Sequence, residues 1–201
     1  MGFPIVMGWL GGENMEHFLR TRINQLMITD RLALTDVISP TPKFDAQSLK
    51  DLMHMNHVHA AEVTLDDTLK ICETFAAAPP SDVTAALLDI LDQVCGVRTA
   101  WDRHVNLDSR GAQVFTEFSV ALRNAKVNDF QHVIDDQSFW LVDFDPALPI
   151  TTPRGIDMSL PANIELMGRV LISAGERLIA NHAAFDAPWG EVMKYRQSPA
   201  R

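Results

Sequence analysis

Residues 99–118, TAWDRHVNLDSRGAQVFTEF, hold the junction between a polar loop and an amphipathic helix. After the loop, four residues recur at the spacing of one helix face: Gly111, Phe115, Phe118 and Leu122. Asp108 or Ser109 is placed to cap this helix, because a side-chain oxygen there can accept hydrogen bonds from first-turn amides. The stretch therefore predicts a helix with a polar cap, and Gly111 permits close approach of the backbone at its start.

The same stretch also contains His104, Asp108 and Ser109, the residue types of a nucleophilic triad. Nucleophile and base usually come from distant segments of a fold, and nothing around Ser109 resembles a nucleophile elbow. We therefore interpret Ser109 as a helix cap and not as a nucleophile.

Helical spacing continues on both sides of this stretch, and two-residue alternation is nearly absent. Amphipathic helices are predicted over residues 13–34, 45–54, 58–72, 81–96 and 159–178. Helix starts are expected at Asp45, at Ser81 and Asp82, and at Ser159 and Pro161, and Gly96 is expected to end a helix.

Two further expectations concern solvation and burial. On the first helix, Glu16, Gln25 and Arg31 are expected on the solvated face. Residues 128–153 are predicted to form a loop, and the tryptophans expected to anchor the core are Trp101, Trp140 and Trp189.

The composition of the 201-residue chain excludes several functional classes. The net charge is -9 and the 17 basic residues are scattered, which argues against a nucleic-acid partner. No apolar run approaches the roughly 20 residues of a membrane span, so no membrane partner is expected. The first residues lack the basic start of a secretory signal, and the sequence by itself predicts no localisation.

Three histidines lie close together, His54, His57 and His59. On one helix, His54 and His59 would lie about 140° apart, so the three cannot converge on a metal. No cysteine or fixed carboxylate completes a zinc site, and solvated histidines are the expectation.

Four acids of the loop region could hold a hard cation through their oxygens: Asp135, Asp136, Asp143 and Asp145. Their spacing does not follow a calcium loop, so solvated acids are favoured and no metal site is predicted. Cys72 and Cys95 fall in helical apolar patterns, where buried thiols are common, and a disulfide between them is the alternative.

Five motifs together resemble the penicillin-acylase group of N-terminal nucleophile hydrolases, and most of all its acyl-homoserine-lactone acylase branch. In chain order they are FLRTRINQLMITDRL, HAAEVTLDDTLKICETF, AWDRHVNLDSRGAQVFTEF, FDPALPITTPRG and FDAPWGEV. The resemblance covers about residues 18–192 and lies in the large (beta) subunit. It implies an amidohydrolase that cleaves N-acylated substrates, such as acyl-homoserine lactones or β-lactam antibiotics, with an amino-terminal serine and no cofactor.

The chain departs from the family at the catalytic residues. It contains no Gly-Ser step, and Asn14 does not reproduce the Asn-x-Asn setting of the family's oxyanion-hole asparagine. Nine serines lie outside the family's nucleophile setting: Ser39, Ser48, Ser81, Ser109, Ser119, Ser138, Ser159, Ser173 and Ser198. The nucleophile and oxyanion hole are therefore expected outside this chain, which alone is expected to be inactive.

One supporting residue carries over from the resemblance. The family has an arginine near the start of the first long helix that points toward the active site, and LRTR offers Arg20 and Arg22. The sequence does not choose between them, and a surface charge is the alternative for either.

The expected fold class is mainly α: residues 1–201 form a single helical segment, the helical portion of an αββα fold whose sheet lies largely outside this chain. The expected partners are the small subunit, the nucleophile-bearing part of the large subunit and an N-acylated small molecule. Family resemblance implies a periplasmic or secreted protein. The competing hypothesis is a non-catalytic helical interaction or scaffold module.

Overall fold

The computed structural model describes residues 16–36, 40–125 and 139–194. The chain divides into two compact units. The first unit comprises residues 1–54 and 140–155, and the second comprises residues 55–139 and 156–201.

The described residues are mainly helical. The helices are α1 (Leu19–Ala33), α2 (Ala46–Met53), α3 (His59–Ala77), α4 (Ala85–Thr99), α5 (Ala112–Asn124), α6 (Pro161–Ala180) and α7 (Trp189–Lys194). The strands are β1 (Trp140–Val142) and β2 (Arg154–Ile156), which pair in a two-stranded sheet. Within the described residues, no helix combines the length and apolar character that a membrane span requires.

The second unit is built around α6, which packs against α3, α4 and α5. Its buried face includes Met167, Leu171 and Leu178, spaced by about one or two helical turns. At Gly168 a Cβ atom would lie 2.2 Å from the Phe75 ring, so only glycine lets α6 approach α3 this closely. The predicted helical core is confirmed in this unit.

A disulfide joins Cys72 of α3 to Cys95 of α4. The expectation of two buried thiols is therefore wrong, and the alternative that the sequence left open is correct. The two positions lie on facing sides of consecutive helices, with their Cα atoms 6.3 Å apart, within the range that a disulfide spans.

In the first unit, the prediction that Asp45 starts a helix is confirmed. The Asp45 carboxylate accepts a hydrogen bond from the Ser48 amide at 2.7 Å, and the Ser48 hydroxyl oxygen accepts one from the Asp45 amide at 2.8 Å. This reciprocal pair is a capping box. Because the amide hydrogen bond stabilises the ionised form, the pKa of Asp45 lies below its ordinary value.

The solvated face predicted for α1 is wrong. Arg31 is buried and pairs with Asp36 at 3.2 Å, and Arg22 is also buried. Ile28 and Leu32, in contrast, are exposed. The prediction of solvation is therefore wrong for Arg31, whereas Glu16 and Gln25 are half-buried.

Several element boundaries differ from the predictions. Gly96 lies inside α4, which ends at Thr99, and Thr84 caps that helix where Ser81 and Asp82 were expected. Asp82 instead pairs with Arg169 of α6. Pro161 occupies the first turn of α6, as predicted.

The region predicted as a loop contains β1, within residues 128–153. Residues 128–138 lie outside the described part of the chain. Trp101 and Trp140 are buried as predicted, whereas Trp189 is only half-buried.

Candidate functional site

The two arginines offered by the sequence differ sharply in their surroundings. Arg20 is exposed, whereas Arg22 is 1% exposed. The Arg22 Nε donates a hydrogen bond to the Ile150 carbonyl at 2.8 Å, and its Nη1 donates one to the Pro153 carbonyl at 2.9 Å. The structure thus places Arg22, and not Arg20, against the segment that precedes β2.

Burial lowers the pKa of Arg22 from its ordinary value, and the negative charge of Glu16 opposes this shift. The guanidinium offers several N–H donors in a fixed plane, so it can hold two carbonyl groups at once. Ile150 and Pro153 belong to the motif FDPALPITTPRG, and Arg22 belongs to FLRTRINQLMITDRL. Two of the five motifs are therefore joined by one side chain.

Ser109 does not cap α5, so that prediction is wrong. The helix begins three residues later, at Ala112. The Ser109 hydroxyl donates to the Asp102 carboxylate at 2.9 Å and accepts from the Asn106 amide at 3.2 Å. Its oxygen therefore faces back into the loop, and the alternative cap, Asp108, is exposed.

The geometry around Ser109 also lacks the order of a triad. The hydroxyl contacts the Asp102 carboxylate directly, and the His104 ring Nδ1 contacts the Asp102 backbone carbonyl. In a triad the histidine contacts the serine that it activates. Here the Ser109 hydroxyl contacts the Asp102 carboxylate instead of the His104 ring. Ser109 is thus a buried structural residue that fixes residues 102–109.

The loop before α5 is held to the start of α3 by an ionic network. Glu62 accepts from His57 at 2.9 Å and from Arg103 at 3.0 Å, and Arg103 also donates to Asp66 at 2.8 Å. The His57 ring stacks on the His104 ring, with centroids 5.2 Å apart. Burial would raise the pKa of Glu62, but its partners His57 and Arg103 lower the pKa overall.

Gln113 of α5 holds the segment between α6 and α7. Its Nε2 lies within 3.0 Å of three carbonyl oxygens, those of Ala184, Phe185 and Ala187. The Trp189 amide donates to the Ser109 carbonyl at 2.8 Å. The motif FDAPWGEV is thereby fixed against AWDRHVNLDSRGAQVFTEF.

A pocket of about 190 Å³ lies beside this junction. Gln113, Glu117, Leu178 and Trp189 are among the residues that line it. The Gln113 side-chain oxygen has no hydrogen-bond partner among the described residues. Glu117 is buried and pairs with Arg177 at 2.7 Å, so the pocket wall carries a neutralised carboxylate.

Arg98 is a fully buried cation of the second unit. Its Nη2 donates to the Thr68 hydroxyl at 2.8 Å, and its guanidinium carbon lies 4.4 Å from the centre of the Phe118 ring. Its Nε and Nη1 have no hydrogen-bond partner among the described residues. Burial lowers the pKa of Arg98 to about 9.

The candidate metal ligands are placed as follows. His54 is exposed, His57 pairs with Glu62, and His59 is 8% exposed, so the expectation of three solvated histidines is wrong for His59. Asp143 and Asp145 are exposed, and Asp135 and Asp136 lie outside the described residues. In the part of the chain that the structure describes, no group of three or more histidines, cysteines or acids is arranged to hold a metal ion.

The sequence analysis missed Gln113, Glu117 and Arg98. Glu117 and Arg177 pair across 60 positions, a separation that no sequence pattern marks. Arg98 falls at the end of a helix, where a cation is ordinarily solvated. Of the three, only Gln113 had a sequence feature that could have drawn attention to it, since it lies two residues after Ser109-Arg110-Gly111.

Comparison with known proteins gives consistent matches. The sequence model of the family described as penicillin amidase matches residues 16–201. Aculeacin-A acylase of Actinoplanes utahensis is 38% identical over 117 residues, which is 58% of this chain and 14% of that protein. Acyl-homoserine lactone acylase PvdQ of Pseudomonas fluorescens is 26% identical over 172 residues, which is 86% of this chain and 20% of that protein.

A similar protein from Pseudomonas syringae pv. tomato, also an acyl-homoserine lactone acylase PvdQ, is 25% identical over 155 residues. That alignment covers 77% of this chain and 18% of the relative. The chain thus spans a fifth or less of the length of these curated relatives.

Proposed function

The chain belongs to the penicillin amidase family, and we propose that it forms part of an acylase that hydrolyses the amide bond of N-acylated small molecules. The relatives described above are acylases by name. Acyl-homoserine lactones are the substrate class that we favour, and β-lactam antibiotics are the second.

Contacts between the family motifs support this proposal. In the first unit, Arg22 joins the first motif to the fourth through the carbonyls of Ile150 and Pro153. In the second unit, Ser109 and Gln113 join the third motif to the fifth. Within each unit, long-range contacts therefore hold together motifs that carry the resemblance.

We propose that the nucleophilic serine and the oxyanion-hole donor come from a part of the enzyme other than this chain. The chain supplies a framework, and Arg22 is its positioning residue. By holding the Ile150 and Pro153 carbonyls, Arg22 fixes the turn before β2. Its burial and its two backbone partners favour it over the exposed Arg20.

The proposed partners are the small subunit and the nucleophile-bearing part of the large subunit. The Cys72–Cys95 disulfide supports a periplasmic or secreted location, since such bonds persist in oxidising compartments. We propose that the chain needs no cofactor, because amide hydrolysis by an activated serine uses only protein groups.

A chimeric enzyme tests the function. The stretch of the Pseudomonas fluorescens acylase that aligns with this chain is replaced by this chain, and release of homoserine lactone from a long-chain acyl-homoserine lactone is measured. We expect turnover by the chimera and none by the isolated chain or by the same enzyme with the stretch deleted. A chimera that folds and is secreted but releases no product would contradict the proposal and favour the non-catalytic module.

The role of Arg22 is tested in the same chimera. Arg22→Lys keeps the charge but loses the planar set of donors, so we expect a lower kcat with little change in KM. Arg20→Lys is the matched control and should leave both constants unchanged. If both variants lower kcat to the same extent, Arg22 has no special positioning role.

A further inference from the structure

The first unit exposes apolar side chains in ordered rows. On α1, Ile28 and Leu32 lie one helical turn apart and are 54% and 67% exposed. On α2, Leu49 and Met53 have the same spacing and are 47% and 80% exposed. We call these four side chains the apolar rows.

The interior of this unit has the opposite character. Its buried side chains include Arg22, Arg31, Ser48 and Thr152, and Trp140 is its one residue among the buried hydrophobic side chains of the described chain. Arginine is rarely buried in a self-sufficient domain, whereas leucine, isoleucine and methionine usually are. Among its described residues, the first unit therefore buries four polar side chains but only Trp140 and Pro153 of its apolar ones, while several large apolar side chains are exposed.

The contrast with the second unit shows that this is not a general property of the chain. Twelve large hydrophobic side chains are exposed among the described residues, and nine of them belong to the first unit. The other three, Leu107, Ile179 and Met193, belong to the larger second unit. The exposed apolar surface is thus concentrated on one small unit, as at a site that another polypeptide covers.

The aromatic residues at and beside β1 do not contribute to this surface. Phe139 and Trp140 are each 5% exposed, and Phe144 is half-buried. The exposed apolar surface is on α1 and α2 instead.

We propose that the apolar rows are the docking surface for the remainder of the acylase polypeptide. This inference rests on the proposed function. The relatives hold four fifths or more of their length outside the part that aligns with this chain. A polypeptide of that length offers a large surface, and the interfaces of permanent assemblies are more apolar than those of transient ones.

A binding experiment uses the full 201-residue chain and a defined probe. The probe is the Pseudomonas fluorescens acylase from which the aligned stretch has been removed. The test variant carries Ile28→Glu with Leu32→Glu, and the matched control carries Ile179→Glu with Met193→Glu, which are exposed positions of the second unit. Circular dichroism and thermal melting confirm that both variants fold.

We expect the unmodified chain and the control to bind the probe and the test variant to bind at least about tenfold more weakly, because two carboxylates would be buried against apolar groups. Equal binding by all three chains, or by none, overturns the inference. Sedimentation without the probe tests the alternative that a second copy of this chain covers the apolar rows. If the chain self-associates and only the test variant loses this self-association, the second copy is the occupant and the assigned partner is wrong.

Hydrolysis of an acyl-homoserine lactone by the reconstituted mixture is measured separately. Binding that requires the apolar rows but yields no hydrolysis supports the docking surface and contradicts the proposed function. Hydrolysis that is unchanged by the test substitutions contradicts the docking surface and supports the proposed function.

Discussion

Arg22 Nη1 lies 2.9 Å from the carbonyl oxygen of Pro153, a residue 131 positions further along the chain. A second donor of the same guanidinium reaches the Ile150 carbonyl, so one side chain fixes both ends of a four-residue segment. The positive charge is held by backbone dipoles and not by a carboxylate in these two contacts. Such an arrangement suits a residue that orients a segment of backbone.

Replacing Arg22 by methionine is expected to lower the free energy of unfolding by about 2 kcal/mol or more, because two hydrogen bonds to a charged donor are lost. Arg20→Met is the control and should change it by less than about 0.5 kcal/mol. Urea denaturation measures both values. Hydrogen exchange of the amides of residues 150–153 should also accelerate only in the Arg22 variant. Equal stability of the two variants would show that the carbonyl contacts contribute nothing.

The disulfide should make an independent contribution to stability. Cys72 and Cys95 are separated by 23 positions, and closing a loop of that length stabilises a fold by about 3 kcal/mol in the chain-entropy description. The double variant Cys72→Ala with Cys95→Ala is expected to unfold at a lower urea concentration. Added reductant should lower the midpoint of the unmodified chain alone. If reductant has no effect on that chain, the two cysteines are not joined in solution.

The sequence predicted the helices well because their signals are local. Asp45 begins a helix through contacts within three residues, and Pro161 suits a first turn for reasons of its own backbone. Gly96 shows the limit of such signals. It was expected to end α4, but the helix continues to Thr99, since the packing of α4 on α6 outweighs the cost of one glycine.

The candidate site depended on contacts that no local pattern records. Arg20 and Arg22 are equivalent in sequence terms, and only the distant Ile150 and Pro153 carbonyls distinguish them. The sequence also predicted that Ser109 caps a helix, because it lies just before the apolar positions of α5. Its actual partner, Asp102, lies seven residues earlier, in a loop whose path depends on the rest of the fold.

Two substitutions at Ser109 distinguish its observed role from a capping role. Ser109→Ala leaves the Asn106 amide without its acceptor and Asp102 Oδ2 without its hydroxyl donor, although Asp102 Oδ1 still accepts from the His104 amide. This loss should cost about 1 to 2 kcal/mol. Ser109→Asp would be tolerated at a helix cap, but here it places a second carboxylate against Asp102 in a buried position. We expect it to be the more destabilising of the two by thermal melting. A nearly neutral Ser109→Asp would restore the capping interpretation.

Removing the charge of Arg98 is expected not to lower the stability of the fold. Arg98 is a buried cation for which the described residues provide no carboxylate partner. Arg98→Met keeps much of the volume and removes the desolvation cost, and Thr68 still donates to the Leu65 carbonyl. We expect Arg98→Met to be at least as stable as the unmodified chain at pH 7. Arg98→Ala, the control, leaves a cavity and should be less stable by about 2 kcal/mol or more. Equal losses in the two variants would mean that the cation itself stabilises the core.

The pH dependence of the same comparison follows from the pKa of Arg98, which burial lowers from its ordinary value to about 9. Below pH 9 the guanidinium is protonated in both the folded and the unfolded chain, so the difference between the unmodified chain and Arg98→Met should not change with pH. Above pH 9 the folded chain releases this proton before the unfolded chain does, and stability rises wherever the unfolded state binds more protons. The unmodified chain should therefore gain stability relative to Arg98→Met as the pH increases from 9 toward 10 and above. Urea denaturation of both proteins across this range measures the difference, in which the titration of all other groups cancels. A difference that stays constant, or that moves in favour of Arg98→Met, would show that burial does not lower the pKa of Arg98.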